Sequence, residues 1–178
     1  MSRWRPGDAR ADRASMLRVD QAGEYGATRI YAGQLAVLRR NCPEAKLIAR
    51  MAAQEERHLK RFNALMAGRR VRPTALQPVW NVAGFALGAV TALMSEKAAL
   101  ACTDAVETVI DRHYGQQLDE LGDQDPELSA DIAECRADEV EHRESAREAG
   151  AANAVGYPVL TAAIRAGCRL AIELSKRI

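Results

Sequence analysis

The sequence predicts an all-α fold, a four-helix bundle with two additional apolar helices. Three observations carry that expectation. Alanine and leucine dominate the apolar residues of a chain of 178 residues in which aromatics make up only 4% and β-branched runs are scarce, a composition that leans to helices. Proline and glycine divide the chain into segments of helical rather than strand length. Within four of those segments, apolar residues recur at three- and four-residue spacing, as on one face of a helix.

The first helix is expected from about Ala11 to Arg39, ended by Asn41-Cys42-Pro43 because proline cannot continue the hydrogen-bond ladder. The second is expected from near Glu44 to Gly68, a glycine suited to the residue just past a helix end. A basic linker, Arg69 to Pro73, follows. The stretch from Pro73 to Ser95 has no charged residue. The fourth helix runs from about Glu96 to Leu121 and closes at Gly122. The fifth begins after Asp125-Pro126, with proline in the first turn, and ends near Gly150. The last follows Gly156-Tyr157-Pro158. The whole reads as one domain, residues 1–178, with residues 1–12 flexible and residues 73–95 an apolar, membrane-associated segment.

A formal net charge of +1, from 25 basic and 24 acidic residues, gives no basic excess for a nucleic-acid partner. Cys42, Cys102, Cys135 and Cys168 form no CxxC pair and have no zinc spacing to histidine, so they read as reduced core thiols in a reducing compartment. The opening MSRWRPGDARADR is charged and lacks an apolar run, so no secretory signal is expected.

Pro73–Ser95 is close to the roughly 20 residues that cross a bilayer. Gln77, Pro78 and Asn81 dilute its first half, and Gly84 and Gly88 lower its helix tendency. A buried core helix is one reading. The rim Arg69-Arg70-Val71-Arg72, suited to anionic head groups, favours an element lying on a membrane surface. Ala149 to Ile164, also uncharged, would extend the same apolar surface.

Two of the three histidines have a glutamate three residues earlier, in Glu55-Glu56-Arg57-His58 and Glu139-Val140-Glu141-His142. Residues at that spacing share a helix face, so Glu55 can bind one ion together with His58, and Glu139 together with His142. The second-helix seam reads Ile48, Met51, Glu55, His58, Phe62, Leu65; the fifth reads Leu128, Ile132, Cys135, Glu139, His142, Ala146. Glu and His thus interrupt an apolar stripe at the same offsets, and a buried carboxylate is costly unless paired or metal-bound. Glu56, Glu141 and Glu144 fall off the stripe and read as solvated. The first helix adds Leu17, Gln21, Glu24, Thr28, Tyr31, Leu35, Leu38, and the fourth Leu100, Thr103, Glu107, Ile110, Tyr114, Gln117, Leu121. Glu24 lies 31 residues before Glu55, and Glu107 lies 32 before Glu139. The chain is therefore two similar hairpins, each supplying Glu and then Glu-x-x-His.

Four glutamates and two histidines on four facing helices are the ligand set of ferritin-like di-iron and di-manganese bundles. Oxygen-rich ligation with one imidazole per metal suits iron or manganese better than zinc. The expected centre is a pair of iron ions that activates O₂, with Glu55 and Glu139 bridging and Glu24 and Glu107 terminal.

Tyr114 continues its seam, either as a bonded core tyrosine or as a group touching substrate, electron or proton; Tyr25 and Tyr31 read the same way. His113 is off the seam and reads as a surface or interface residue. Asp111 and Asp138 are candidate supports for the ligand histidines, Asp138 equally a solvated charge. Trp80 and Phe85 would line an apolar channel, meet a bilayer interface or pack in the core, and Met51, Met66 and Met94 read as gap-fillers.

Arg18-Val19-Asp20-Gln21-Ala22-Gly23-Glu24-Tyr25-Gly26-Ala27 followed by Arg29-Ile30-Tyr31-Ala32-Gly33-Gln34 resembles the opening helix of the demethoxyubiquinone hydroxylases. So do Arg72-Pro73-Thr74, Trp80-Asn81, Gly84-Phe85-Ala86-Leu87-Gly88 and Ala166-Gly167-Cys168-Arg169 with Ala171-Ile172 and Leu174-Ser175. The resemblance covers roughly Met16 to Ile178. It implies a di-iron monooxygenase that hydroxylates the 6-methoxy-3-methyl-2-polyprenyl-1,4-benzoquinol ring with O₂ in ubiquinone biosynthesis. It implies metal ligands at Glu24, Glu55, His58, Glu107, Glu139 and His142, and a His-Tyr pair for electron or proton transfer at His113 and Tyr114. It also implies peripheral attachment to a membrane: the cytoplasmic face of a bacterial inner membrane, or the matrix face of a mitochondrial one. Iron oxidation or storage, peroxide reduction, and non-enzymatic quinone or lipid binding are the rival readings of such a bundle. A storage cage suits the uncharged 73–95 segment poorly, a rubredoxin-like CxxC pair is absent, and simple lipid binding leaves the polar seam residues unexplained. No GxGxxG fingerprint is present, so electrons from NADH would arrive through a partner or at an unmarked site. An accessory protein of the same pathway or a second copy of the chain is a further expected partner.

Overall fold

A computed structural model describes residues 11–177. Of the segment expected to be flexible, residues 1–10 lie outside the described residues; Ala11 is buried and Asp12 starts the first helix. Six α-helices and no strand are found among the described residues: α1 Arg13–Val37, α2 Pro43–Arg69, α3 Gln77–Met94, α4 Glu96–Leu121, α5 Pro126–Glu148 and α6 Tyr157–Ser175. A short 3-10 turn, Ala151–Asn153, joins α5 to α6.

Local chemistry sets most of the boundaries. Asp12 accepts from Ser15 N at 3.0 Å, Ser95 Oγ from Ala98 N at 3.0 Å and Asp125 Oδ1 from Leu128 N at 3.1 Å, each satisfying a first-turn N–H that has no partner inside its helix. Pro43, Pro126 and Pro158 sit in first turns, where the missing N–H costs nothing. Gly122 closes α4 with φ 53°. At the end of α2 the expectation fails. Gly68 stays helical and Arg70 takes the left-handed conformation, φ 56°, while Val71 N closes the turn on Met66 O at 2.9 Å. Arg69, in that last turn, pairs with Asp125 and Glu127 at the start of α5, which holds the helix together past the glycine.

The two hairpins α1–α2 and α4–α5 form the bundle, with α3 laid along α1 and α6 along α4. One apolar cluster gathers Leu17, Phe62, Leu121, Leu128 and Ile132; another gathers Tyr31, Ile48, Met51, Leu100 and Ala146. Along α2 and α5 the Glu and His positions fall between these clusters.

The α1–α3 contact is close enough to need glycine. A Cβ on Gly33 would fall 2.1 Å from Phe85 O, and one on Gly88 would fall 1.9 Å from Ile30 O. Gly88, a weakness in the sequence pattern, is thus a condition of the packing. With that face spent on α1, the opposite face of α3 is open. Val79, Val82, Val90, Leu93 and Met94 are exposed, as are Val155 beside α6 and Val159 and Leu170 on it. The core-helix reading of 73–95 is therefore wrong, and Met94 fills no gap. No helix among the described residues is long and apolar enough to cross a membrane. The four cysteines are free, Cys102 and Cys135 fully buried and Cys42 and Cys168 half-buried.

Candidate metal centre

The helical period turns Glu24 on α1, Glu55 and His58 on α2, Glu107 on α4, and Glu139 and His142 on α5 inward, and all six are buried. Their donor atoms form two groups. Glu24, Glu55, His58 and Glu139 offer atoms within 4.8 Å of one another, and so do Glu55, Glu107, Glu139 and His142. Glu55 and Glu139 belong to both. Glu56, Glu141 and Glu144, read as solvated, are exposed.

Both imidazoles point Nδ1 at the carboxylates. His58 Nδ1 lies 3.4 Å from Glu24 and 3.5 Å from Glu139, and His142 Nδ1 lies 3.0 Å from Glu55 and 3.3 Å from Glu139. Each Nε2 is held from behind: that of His58 by Asp138 Oδ2 at 2.9 Å, that of His142 by Gln54 Oε1 at 3.1 Å. An Nε2–H donated outward leaves the Nδ1 lone pair facing inward, the arrangement a metal requires. Asp138 thus serves His58. Asp111 serves neither histidine, because Arg136 and Arg143 hold it. Gln54 escaped the sequence reading, since an exposed-looking polar residue one position before the seam carries no signal.

The terminal carboxylates are clasped reciprocally. Tyr31 Oη of α1 donates to Glu107 of α4 at 2.8 Å, and Tyr114 Oη of α4 donates to Glu24 of α1. Each tyrosine follows its own helix's glutamate by seven residues, so the pattern was visible in the two seams, but its exchange between helices was not.

Electrostatics mark the cluster as incomplete without positive charge. Burial first, then the Glu139 and Glu55 carboxylates, push Glu107 well above the usual carboxylate range. Burial and the charge of Glu24 raise Glu55. Burial disfavours a charged His142, but the pull of Glu139 and Glu55 outweighs it and lifts the imidazole to about 10; His58 is raised for the same reasons. Glu24 Oε2, both oxygens of Glu55, Glu139 Oε2, His58 Nδ1 and His142 Nδ1 are buried with no hydrogen-bond partner. Buried polar atoms without partners cost about 1–3 kcal/mol each, and so many converging at one point fit a cationic centre bound by oxygen and nitrogen donors.

An apolar cavity of about 540 Å³ lies beside this cluster, between α1, α3, α4 and α6. Gly23, Gly26, Trp80, Leu87, Ile110 and Ile164 are among its lining residues, and its polar groups include Asp20, His113 and Tyr114. Trp80 lines it and donates to Ser175 Oγ at 3.1 Å; Phe85 lies under Arg29 at 5.4 Å instead. His113, read as a surface or interface residue, keeps only 11% of its side chain exposed and forms part of the cavity wall. Burial, with help from Lys176, lowers its pKa to about 4.

A family model described as "Ubiquinone biosynthesis protein COQ7" matches residues 11–175. The chain is 56% identical over 162 residues to a Rhodospirillum rubrum protein named 3-demethoxyubiquinol 3-hydroxylase, covering 91% of this chain and 76% of that one. It is 50% identical over 167 residues to the Homo sapiens mitochondrial NADPH-dependent 3-demethoxyubiquinone 3-hydroxylase, covering 92% and 76%. With the Saccharomyces cerevisiae mitochondrial 5-demethoxyubiquinone hydroxylase it shares 43% identity over 179 residues, covering 92% and 77%. A match of this extent, on a helical bundle with converging buried glutamates and histidines, means that the chain belongs to the COQ7 family of ubiquinone biosynthesis proteins.

Proposed function

We propose that this chain is the 3-demethoxyubiquinol 3-hydroxylase of ubiquinone biosynthesis and that it works with two iron ions held between α1, α2, α4 and α5. The observation that carries the reading is the sharing of Glu55 and Glu139 between two buried donor groups, each completed by its own Glu and His. Glu24 with His58 would hold one ion and Glu107 with His142 the other, bridged by Glu55 and Glu139. When bound, the iron pair supplies the redox chemistry that reduces O₂ and makes one of its oxygen atoms available to the ring.

The protein's own groups prepare that site. Asp138 and Gln54 fix the two imidazole rings so that Nδ1 faces inward. Tyr31 and Tyr114 each donate to one oxygen, Oε1, of a terminal carboxylate, Glu107 and Glu24 respectively. The apolar cavity would take the substituted quinol ring and exclude water from it, with the polyprenyl tail leaving between α3 and α6, where Ala83, Ala163 and Gly167 are exposed. The glutamate-to-cavity step is short: Tyr114 both lines the cavity and donates to Glu24. Tyr114 and His113 are the residues positioned to move a proton or an electron there.

The exposed apolar face of α3 and α6 would seat on a membrane, with Arg70 and Arg72 at its rim meeting anionic head groups. That supports a peripheral protein of a bacterial or mitochondrial inner membrane. The electron donor is a reduced pyridine nucleotide, acting directly or through a partner; several relatives carry NADPH dependence in their names.

The test combines metal and product. Protein loaded with iron is reduced anaerobically, given a short-tailed demethoxyquinol and exposed to O₂, beside a Glu139→Ala control. Two irons per chain and a ring hydroxylated only by the parent are expected. Bound iron with O₂ consumed and no hydroxylated ring would refute the reading.

A further inference from the structure

A second polar assembly lies apart from the glutamates and histidines of the centre. Asp20 on α1 is buried; its Oδ1 accepts from Gln117 Nε2 at 2.8 Å and its Oδ2 has no partner. The same amide nitrogen reaches His113 Nε2 at 3.1 Å, and that ring atom is 3.7 Å from Asp20 Oδ1. Both amide hydrogens are thereby engaged, so His113 accepts at Nε2 and carries its own proton at Nδ1.

The place of this assembly gives it meaning. Asp20 and His113 line the apolar cavity. His113 and Gln117 also line a second cavity of about 280 Å³, walled by Asp12, Ser15, Gln116, Glu120 and Lys176. Asp12, Gln116, Glu120 and Lys176 are exposed, so this cavity meets solvent. Val19 and His113 line both cavities, and with Asp20 on the apolar side and Gln117 on the polar side the three polar residues form the polar part of the partition between them.

Hydroxylation makes that partition useful. A ring C–H, O₂, a reduced pyridine nucleotide and one proton give a ring C–OH, water and the oxidised nucleotide. The C–H and O–O bonds break, C–O and O–H bonds form, and the nucleotide gives up a hydride. One proton per turnover must come from solvent, and the apolar cavity is a poor path for it.

We propose that Asp20, Gln117 and His113 form the proton inlet of this enzyme, separate from the route of the quinol and its tail. The inlet rests on the hydroxylase reading above. Asp20 is its storage group, since burial favours the neutral acid there, and Oδ2 is the atom free to release the proton into the apolar cavity, where it ends in the water formed from O₂. His113 is held neutral by burial and by Lys176, against Glu173. When the Gln117 amide swings off Nε2, that atom can take a proton from the polar cavity and, with Asp20 Oδ1 3.7 Å away, pass it on without keeping it. Asp12 and Asp20 on α1, Glu120 on α4 and Glu173 and Lys176 at the end of α6 are the charged groups facing it.

Two variants test the inlet. Asp20→Asn keeps an acceptor for Gln117 but cannot carry a proton. Gln116→Trp narrows the polar cavity and leaves the three relay residues themselves unchanged. Asp20→Asn is expected to load iron and bind a short-tailed quinol as the parent does, to turn over roughly a hundredfold more slowly, and to regain rate with added formate. In metal-free protein, the infrared carbonyl band of the Asp20 acid should be present in the parent and absent from Asp20→Asn. That band should exchange with D₂O more slowly in Gln116→Trp. Parental turnover by Asp20→Asn overturns the proposal, and so does a slow variant that has lost quinol affinity, which would make Asp20 an anchor for the ring. A parent that makes no hydroxylated product defeats the hydroxylase reading, whereas equally fast carbonyl exchange in Gln116→Trp defeats the inlet itself.

Discussion

Replacing Glu107 by glutamine should make the metal-free protein more stable and the metal-loaded protein less so. Glu107 is buried against Glu55 and Glu139, and both burial and their charge drive its carboxyl well above the usual range. Glutamine has the same shape and still accepts from Tyr31, whose bond to Glu107 is 2.8 Å, but it brings no charge. Removing an uncompensated buried charge at constant volume typically gains about 1–3 kcal/mol. For a chain of this size one kcal/mol is worth about 3 °C, so the melting temperature in chelator should rise by roughly 3–9 °C at pH 8. The pH dependence follows from the direction of the shift. A carboxyl whose folded pKa lies above its unfolded value, about 4.3, stabilises the fold below that value and loses the contribution as pH rises through the folded pKa. Parent and variant should therefore melt together in acid and separate as the pH rises. Anaerobic Fe(II) reverses the order. At a hundred times its Kd the metal adds about 2.7 kcal/mol to the parent, and much less to a variant whose neutral amide is a poor ligand. Scanning calorimetry in chelator and in Fe(II), from pH 5 to 8, measures all of this. A Glu107→Gln protein that melts below the parent in chelator at pH 8 would show that the carboxylates are mutually satisfied and that no cation is missing.

Three further outcomes are expected. Gly88→Ala should lose roughly 3 kcal/mol or more in thermal or urea melts, because its Cβ would meet Ile30 O at 1.9 Å, whereas Gly68→Ala, with nothing within 4 Å, should gain about 0.5–1 kcal/mol; equal melting of the two would contradict the close α1–α3 approach. The His113 ring should titrate near 4 by NMR, and because that lies below its unfolded value of about 6.5, the stability it contributes above pH 6.5 should disappear as pH falls through 4; a midpoint near 6.5 would mean that the ring is solvated. Leu93→Glu, at a site 72% exposed, should leave the melting curve unchanged and cut flotation with anionic lipid vesicles about tenfold; undiminished flotation would show that this face does not meet lipid.

How the chain's local pattern relates to its final site can be followed residue by residue. The helix starts expected at about Ala11, at about Glu96 and after Asp125-Pro126 lie close to the capping residues Asp12, Ser95 and Asp125, because a helix start is set by bonds between residues three apart. The seams were legible for the same kind of reason. Within one helix, 3.6 residues per turn decides that Glu55 and His58, or Glu139 and His142, share a face, whatever lies opposite. What failed at Gly68 was local chemistry overruled from a distance, by the pairing of Arg69 with Asp125 and Glu127 across to α5.

By itself, then, the sequence determined the six helices, the inward face of each bundle helix and the two matched hairpins that carry Glu and Glu-x-x-His. Only the tertiary structure decided who faces whom. It set Tyr31 on Glu107 and Tyr114 on Glu24, gave His142 the support of Gln54 rather than Asp111, and set His113 into a wall between two cavities. It also turned Gly88 from a weak helix position into part, with Gly33, of the contact that leaves the outer face of α3 exposed. The physical reason is that direction within a helix is fixed by its own hydrogen bonds. The axial offset and rotation between helices are fixed by many weak contacts acting together, and no short stretch of sequence contains them.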